Sequence, residues 1–330
     1  IIYLTEQDLE DEQTRALEGV FETKTIQDST LQMLFACCHP ALSQEMQIAL
    51  ALKTLCGLSV QEIANAFLTG KDTIEKRLYR AKERVRESDI AIEFPKESEL
   101  ESRMNAVLQM MYLLFNEGYN SSQTDAIIRR DITDEAQRLC RLLTENPLCN
   151  LPEVNALMAL MLFQSSRFQA RLKESGELVI LSKQNRAEWN RETIADGARF
   201  LAASARGKSV SRYHIEAGIA AHYALSPSFE EIVWEGIEKL YRVLLALAPS
   251  PIARLNLIIV RSYLVGADVA LVELADLESA LGNHYLFYAT RGELLKRSGD
   301  EASAKEAWSK ALSRTNSASE KKYIQSRIEA

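Results

Sequence analysis

An all-α fold is predicted by three features of the sequence: sparse helix breakers, apolar residues at helical spacing, and turn residues where that spacing lapses. Only 7 prolines and 13 glycines interrupt 330 residues rich in Ala, Leu, Glu, Arg and Lys. Hydrophobic residues make up 47% of the chain and charged residues 26%, which is the balance of an ordinary globular protein. The length suggests about two domains. The expected architecture is a small four-helix domain followed by a larger helical domain.

Through Asp28 the chain holds eight acidic and two basic residues, and residues 1–27 read as an acidic linker. The chain begins at Ile1 rather than at a methionine, as the remainder of a longer product would. From residue 28 the pattern tightens. Asp28 or Ser29 can cap a helix reaching Cys38, which Pro40 stops. Ser43 can cap a second helix with Met46, Ile48, Ala49, Leu52 and Leu55 at its apolar positions, ending at Gly57. Ser59 and Glu62 have the spacing of a capping box, so a third helix starts near Val60 and carries Ile63, Ala64 and Phe67. Thr69-Gly70 supplies a turn, and a fourth helix follows. In it Ile74, Leu78, Ala81 and Val85 form one stripe, while steps of about 100° put Asp72, Lys76, Tyr79, Arg80 and Glu83 opposite. Lys71, Thr73, Glu75 and Arg77 flank that outer face. Residues 28–88 thus make a four-helix domain with a helix-turn-helix, of a size that folds alone.

The charge of the fourth helix separates it from the rest of the chain. Lys71 to Arg86 contains seven basic and three acidic residues, a balance of +4 on a chain of −7. Duplex DNA selects such a surface, because phosphate contacts need Lys and Arg on one face. A solvated amphipathic helix of mixed charge has the same composition; the capped partner helix, the short turn and the apolar stripe favour the DNA-reading element.

Residues 89–98, with Pro95, read as a connector, and 99–330 as an all-helical extension. Leu100 to Glu117 is expected as a long helix ended by Gly118. The following turn, Asn116 to Tyr119, offers Glu117 and Tyr119 either as part of a ligand site or as a buried pin between helices. Helices are expected from Asp131 to Leu143, Pro152 to Leu172 and Arg191 to Ala205. Between the last two, Glu177 to Leu181 alternates like a strand but is too short for a sheet. The loop around it holds Arg, Asn and Trp, yet no His lies close in sequence, and no phosphate loop or HExxH motif occurs, so an inter-helix plug is expected rather than an active site. His39, His214, His222 and His284 are scattered and read as packing residues. Cys37, Cys38, Cys56, Cys140 and Cys149 have neither disulfide-framework nor zinc spacing and read as reduced, buried thiols. No cofactor or metal is expected. No apolar run approaches a bilayer span, no signal peptide is visible, and a cytoplasmic protein without membrane contact is expected.

Residues 288–312 place Ala289, Gly292, Ala304 and Ala311 where two helices approach closely, with Leu295, Trp308 and Leu312 filling the gaps and Gly299-Asp300 turning the chain. This is the spacing of a tetratricopeptide-like hairpin. A looser copy covers 237–276, so repeats are expected over about 231–315. Stacked pairs of this kind either offer a surface for a protein or peptide partner or form a packed module.

LQMLFACCHPAL at 31–42, running on through 87, resembles region 4 of extracytoplasmic-function (ECF) sigma factors. MYLLFNEGY at 111–119 and GELVILSKQNRAEWNR at 176–191 are similar to segments of one subgroup with a long C-terminal extension. The resemblance covers about nine tenths of the chain. It implies a non-enzymatic transcription initiation factor whose region 4 reads the minus-thirty-five promoter element and binds the flap of the core RNA polymerase beta subunit, with the extension regulating it in cis. Promoter-reading positions then fall on Lys71, Asp72, Thr73, Glu75, Lys76, Tyr79 and Arg80, with Arg77 and Arg84 on phosphates. Arg80 would donate to guanine, Glu75 accept from a cytosine amine, and Tyr79 pack on a thymine methyl or a sugar. Many ECF factors are basic at the position of Glu75, so the preferred bases would differ here. Nothing in the chain resembles region 2, which normally precedes region 4. The alternative is a sigma mimic that sequesters a regulator or the polymerase without reading DNA.

Overall fold

A computed structural model describes residues 29–67, 69–88, 94–121 and 128–329. The expected acidic linker, 1–27, and residues 89–93 of the connector lie outside them. The described residues are helical with short connections and hold no strand, only an isolated bridge between Leu172 and Leu178. None of their helices is long and apolar enough to cross a membrane. The chain divides into two compact units: residues to Leu113 with Arg141–Cys149, and Leu114–Cys140 with Asn150 onward.

In the first unit α1 spans 29–37, α2 Gln44–Thr54, α3 Val60–Ala66 and α4 Lys71–Glu87, followed by α5, Glu97–Tyr119, as far as Leu113. Leu34, Phe35 and Cys38 from α1 and its end are fully buried with Ile48, Ala49 and Leu52 of α2. The tight passage around Pro40 leaves carbonyls without helical partners. The buried Gln47 amide answers two of them, donating to His39 O at 2.9 Å and Leu42 O at 3.0 Å. Arg103 on α5, buried, donates to Phe35 O at the end of α1 and to Glu99 at 2.6 Å, so its charge is paired where water is excluded.

The second unit takes the rest of α5, then α6 Arg130–Glu145, α7 Pro152–Ser165, α8 Arg191–Ser204, α9 Arg212–Leu225, α10 Trp234–Leu247, α11 Pro251–Leu264, α12 Ala267–Ala275, α13 Glu278–Leu281, α14 Tyr285–Arg297, α15 Glu301–Leu312 and α16 Ala318–Glu329, with α6 passing back into the first unit at Arg141. α7 is buried on every face from Val154 to Phe163, because α8 and α9 both pack on it. The helix stops at Ser165 rather than at the expected Leu172; a single 3₁₀ turn, Gln169–Arg171, carries the chain onward.

Gly118 does not end α5. The helix runs one residue past it, and the expected turn at Asn116 to Tyr119 is its last helical turn. What the glycine permits is a close approach: a Cβ there would meet the Thr133 backbone nitrogen at 2.8 Å and Arg129 O at 2.9 Å. The Gly118 carbonyl accepts from Arg129 N at 2.7 Å across the same contact. Tyr119 does act as a pin. Its buried phenol accepts from Arg167, its carbonyl takes Arg171 at 2.6 Å, and the Arg171 guanidinium lies 3.8 Å above its ring.

The alternating Glu177 to Leu181 segment forms no strand. It is held as irregular chain by Val179 N donating to Arg171 O at 2.8 Å and by Gln184 bonding back to Val179 O. Trp189 anchors its far end, 3% exposed, under the Arg186 guanidinium. This is the expected inter-helix plug. Beyond it α10 packs on α11, α11 on α12, α14 on α15 and α15 on α16. Arg261 of α11 ties three helices, reaching Glu238 on α10 and Glu273 on α12, both at 2.7 Å.

The α14–α15 hairpin depends on two glycines. Gly299 turns the chain at φ +87°, and Gly292 lies flat against Trp308, whose indole nitrogen would be 2.4 Å from an added Cβ. Trp308 is 1% exposed and packed all round, so it has no room to yield. Gly292→Ala should therefore destabilise the full chain by about 1–3 kcal/mol by overpacking, despite the gain of up to about 1 kcal/mol in helix propensity. Denaturant unfolding followed by tryptophan fluorescence reads the change; a stabilised variant would contradict this packing.

Candidate nucleic-acid interface

The helix pair α3–α4 is set by local chemistry at both ends. Ser59 and Glu62 close a reciprocal box, with Glu62 N donating to Ser59 Oγ at 3.2 Å and Ser59 N to Glu62 Oε2 at 2.7 Å. The chain then turns through Thr69, whose N–H returns to Ala64 O at 2.9 Å, and α4 begins directly after Gly70. No side chain caps that start. The first turn of α4 thus presents backbone N–H groups and the positive end of the helix dipole beside Lys71 and Thr73.

Ile74, Leu78 and Ala81 are buried and Val85 is half-buried, as the stripe predicts. Burying that stripe against α2 and α3 determines what faces outward. Lys71, Asp72, Thr73, Glu75, Lys76, Tyr79, Arg80 and Arg84 are all exposed, with Tyr79 at 67%. They occupy one broad surface. Three exposed ion pairs run along the helix: Lys71–Glu75 at 3.6 Å, Arg84–Glu87 at 3.5 Å and Arg86–Glu83 at 2.9 Å. Each contributes about 0–1 kcal/mol and opens readily to a competing anion. Lys76 and Arg80 have no carboxylate within ion-pair distance among the described residues, and they form the uncompensated cationic centre of the face.

Arg77 stands apart from this set. Its side chain is 14% exposed and turned beneath the helix, 2.5 Å from the Glu45 carboxylate on α2 and with its guanidinium 5.0 Å from the Phe67 ring centroid. That geometry makes it a brace between α2, the end of α3 and α4. The helical wheel places it only on a flank, and its partner lies 32 residues away in sequence, so sequence periodicity carries no signal for the brace.

The cysteines are free thiols. Cys37, Cys38, Cys140 and Cys149 are buried and Cys56 is half-buried, and burial pushes the Cys149 thiol up to about 12. No group of three or more His, Cys, Asp or Glu side chains could hold a metal among the described residues. His214 accepts from Ser211 N at 3.1 Å at the start of α9, and the ring of His222 lies against Gly236 of α10. Both fill packing roles.

Residues 32–85 match the sigma-70 region 4 family. Residues 103–205 match a family of unknown function, DUF6596. An uncharacterized protein of Rhizobium meliloti (strain 1021) is 37% identical over 302 residues, covering 92% of this chain and 71% of that protein. No solved structure matches.

The brace has a local signature. Arg77→Ala should cost about 1–2 kcal/mol of local stability, because it removes a buried charged donor, whereas Glu45→Ala, losing only an exposed partner, should cost less than about 1 kcal/mol. Lys76→Ala should stay within about 0.5 kcal/mol. Amide hydrogen exchange within α4 of the full chain measures all three; equal protection in the Arg77 and Lys76 variants would refute the brace.

Proposed function

The chain belongs to one family with the Rhizobium meliloti protein and carries a sigma-70 region 4, and from that premise we propose that it is an ECF-type sigma factor. Region 4 reads the minus-thirty-five element of duplex promoter DNA and engages the beta flap of core RNA polymerase, and the helical extension regulates that grip in cis. The activity is binding, not catalysis, and takes place in the cytoplasm without a cofactor.

The observation that carries this reading is the outer face of α4. An acidic chain of −7 keeps an exposed basic surface with two cations, Lys76 and Arg80, that no carboxylate neutralises among the described residues. Around them stand the group types that read base edges in a major groove: Arg80 for guanine O6 and N7, Glu75 for a cytosine amine, and Tyr79 for a thymine methyl. Lys71, Asp72, Thr73 and Lys76 complete the reading set near the uncapped start of the helix, where a phosphate is favoured. Arg84, exposed one turn beyond Arg80, contacts the DNA backbone in this reading. Arg77 supports the face from below. The extension, with its tetratricopeptide-like pairs over about 231–315, supplies the surface on which regulation acts.

A sigma mimic is the second reading, favoured by the acidic balance of the whole chain, since a net charge of −7 opposes binding to DNA. The two differ in base discrimination. Arg80→Ala should lose about 1–3 kcal/mol on a selected promoter and far less on random duplex, while Arg84→Ala should weaken both alike and lower the salt dependence by about one counterion. Binding isotherms at one fixed salt concentration, then over a salt series, measure both effects. Equal losses on the two DNAs for Arg80→Ala would remove the base-reading role.

A further inference from the structure

The second unit contains a cavity of about 530 Å³ that the promoter reading does not use. It is lined by residues of α9, α10, α11, α14 and α16, by Phe229 and by Ile180 to Lys183, so it joins the 176–191 segment to the helices that follow. Its size is that of sites for small organic ligands, and would admit only a few residues of a peptide.

One wall is aromatic. Trp234 and Tyr263 stack at 4.2 Å with their planes 12° apart, and Phe229 stands edge-on to both at 5.3 and 5.5 Å. Tyr263 is 39% exposed although it belongs to this cluster, so part of its ring edge is left open to the cavity. A flat apolar body packs against the edges of such a wall.

The charges lining the cavity are unbalanced. Glu293 is the lone carboxylate among its lining residues, and it already accepts from Nε and Nη2 of Arg327, at 2.6 and 2.9 Å, and from the Tyr323 hydroxyl at 2.9 Å. Arg297 has no acidic partner among the described residues. It is held by donating to Ser262 Oγ and Ser262 O, each at 2.7 Å, with its guanidinium 4.4 Å from the Tyr263 ring centroid. Lys183, exposed on the loop, also has no acidic partner among the described residues. Two uncompensated cations thus stand beside an apolar aromatic wall.

We propose that this cavity binds a small organic anion with a flat aromatic body, which packs against the wall of Phe229, Trp234 and Tyr263 and pairs with Arg297 and Lys183. Charge complementarity selects the anion, and the stacked wall selects its body. The inference does not depend on DNA reading, and its test uses no DNA.

The test compares two fluorescent probes on the full chain: 8-anilino-1-naphthalenesulfonate, an aryl anion, and N-phenyl-1-naphthylamine, the same rings without the sulfonate. The expected result is one saturable site that binds the sulfonate at least tenfold more tightly. Lys183→Gln and Arg297→Gln should each weaken sulfonate binding severalfold and leave the neutral probe unchanged, and Ala289→Phe, which fills the cavity, should abolish both. Circular dichroism checks that the variants fold; Lys183 is exposed, so its variant keeps the test decisive if the others do not. Equal affinity for the two probes, or sulfonate binding that Lys183→Gln leaves untouched, would overturn the proposal. So would a signal lost instead in Met33→Gln, which alters a separate apolar groove beside α1.

Discussion

Burial of Ile74, Leu78 and Ala81 fixes the rotation of α4 about its own axis, and the identity of every outward residue follows from that one constraint. A helix rotated by one residue, about 100°, would bury charge and expose the stripe, at a cost no surface contact could offset. The capping box at Ser59 and Glu62 sets where α3 begins, and the short turn sets where α4 follows it. Arg77 then braces the arrangement from within, using a guanidinium that sequence composition alone would count toward the DNA-facing charge. The basic face is rigid because its underside is packed, not because its own ion pairs hold it. Those pairs are weak and exposed, as a surface that exchanges carboxylates for phosphates requires.

Much of this was legible in the sequence where the signal was local. A capping box, a four-residue apolar spacing and a glycine turn are each complete within a few residues, and the helix pair they specify is present to the residue at its starts. Signals that depend on distant chain were read less well. Gly118 looks like a helix stop because glycine often is one, but here it lets Arg129 and Thr133 approach where any side chain would collide. Glu177 to Leu181 alternates like a strand, yet no neighbouring strand exists among the described residues to pair with it. Arg77 could be recognised as a brace only once Glu45 was known to lie beside it. In each case the deciding partner was out of range of periodicity.

The second unit shows the same logic at a larger scale. Small residues that the sequence marked as close-approach points do bring helices together, most tightly at Gly292 and Trp308. The segment at 176–191, read as a plug, does close the space beside α7 and α9, with Trp189 and Arg186 locked in place. What sequence patterns could not show is the cavity that its Ile180 to Lys183 stretch completes, since the lining comes from residues up to 147 positions apart. The aromatic wall, with Arg297 and Lys183 lacking acidic partners among the described residues, is the basis of the anion binding proposed for the extension.

The central claim is that the face of α4 reads sequence rather than merely attracting phosphate. Selection of bound duplexes from a random pool by the full chain, at physiological salt, tests it most directly. Recovery of a shared motif of a few base pairs, lost or altered when Arg80 and Glu75 are replaced, is the expected result. A pool that stays random after repeated rounds, with the wild-type chain still binding core RNA polymerase, would contradict the account and leave a sigma mimic in its place.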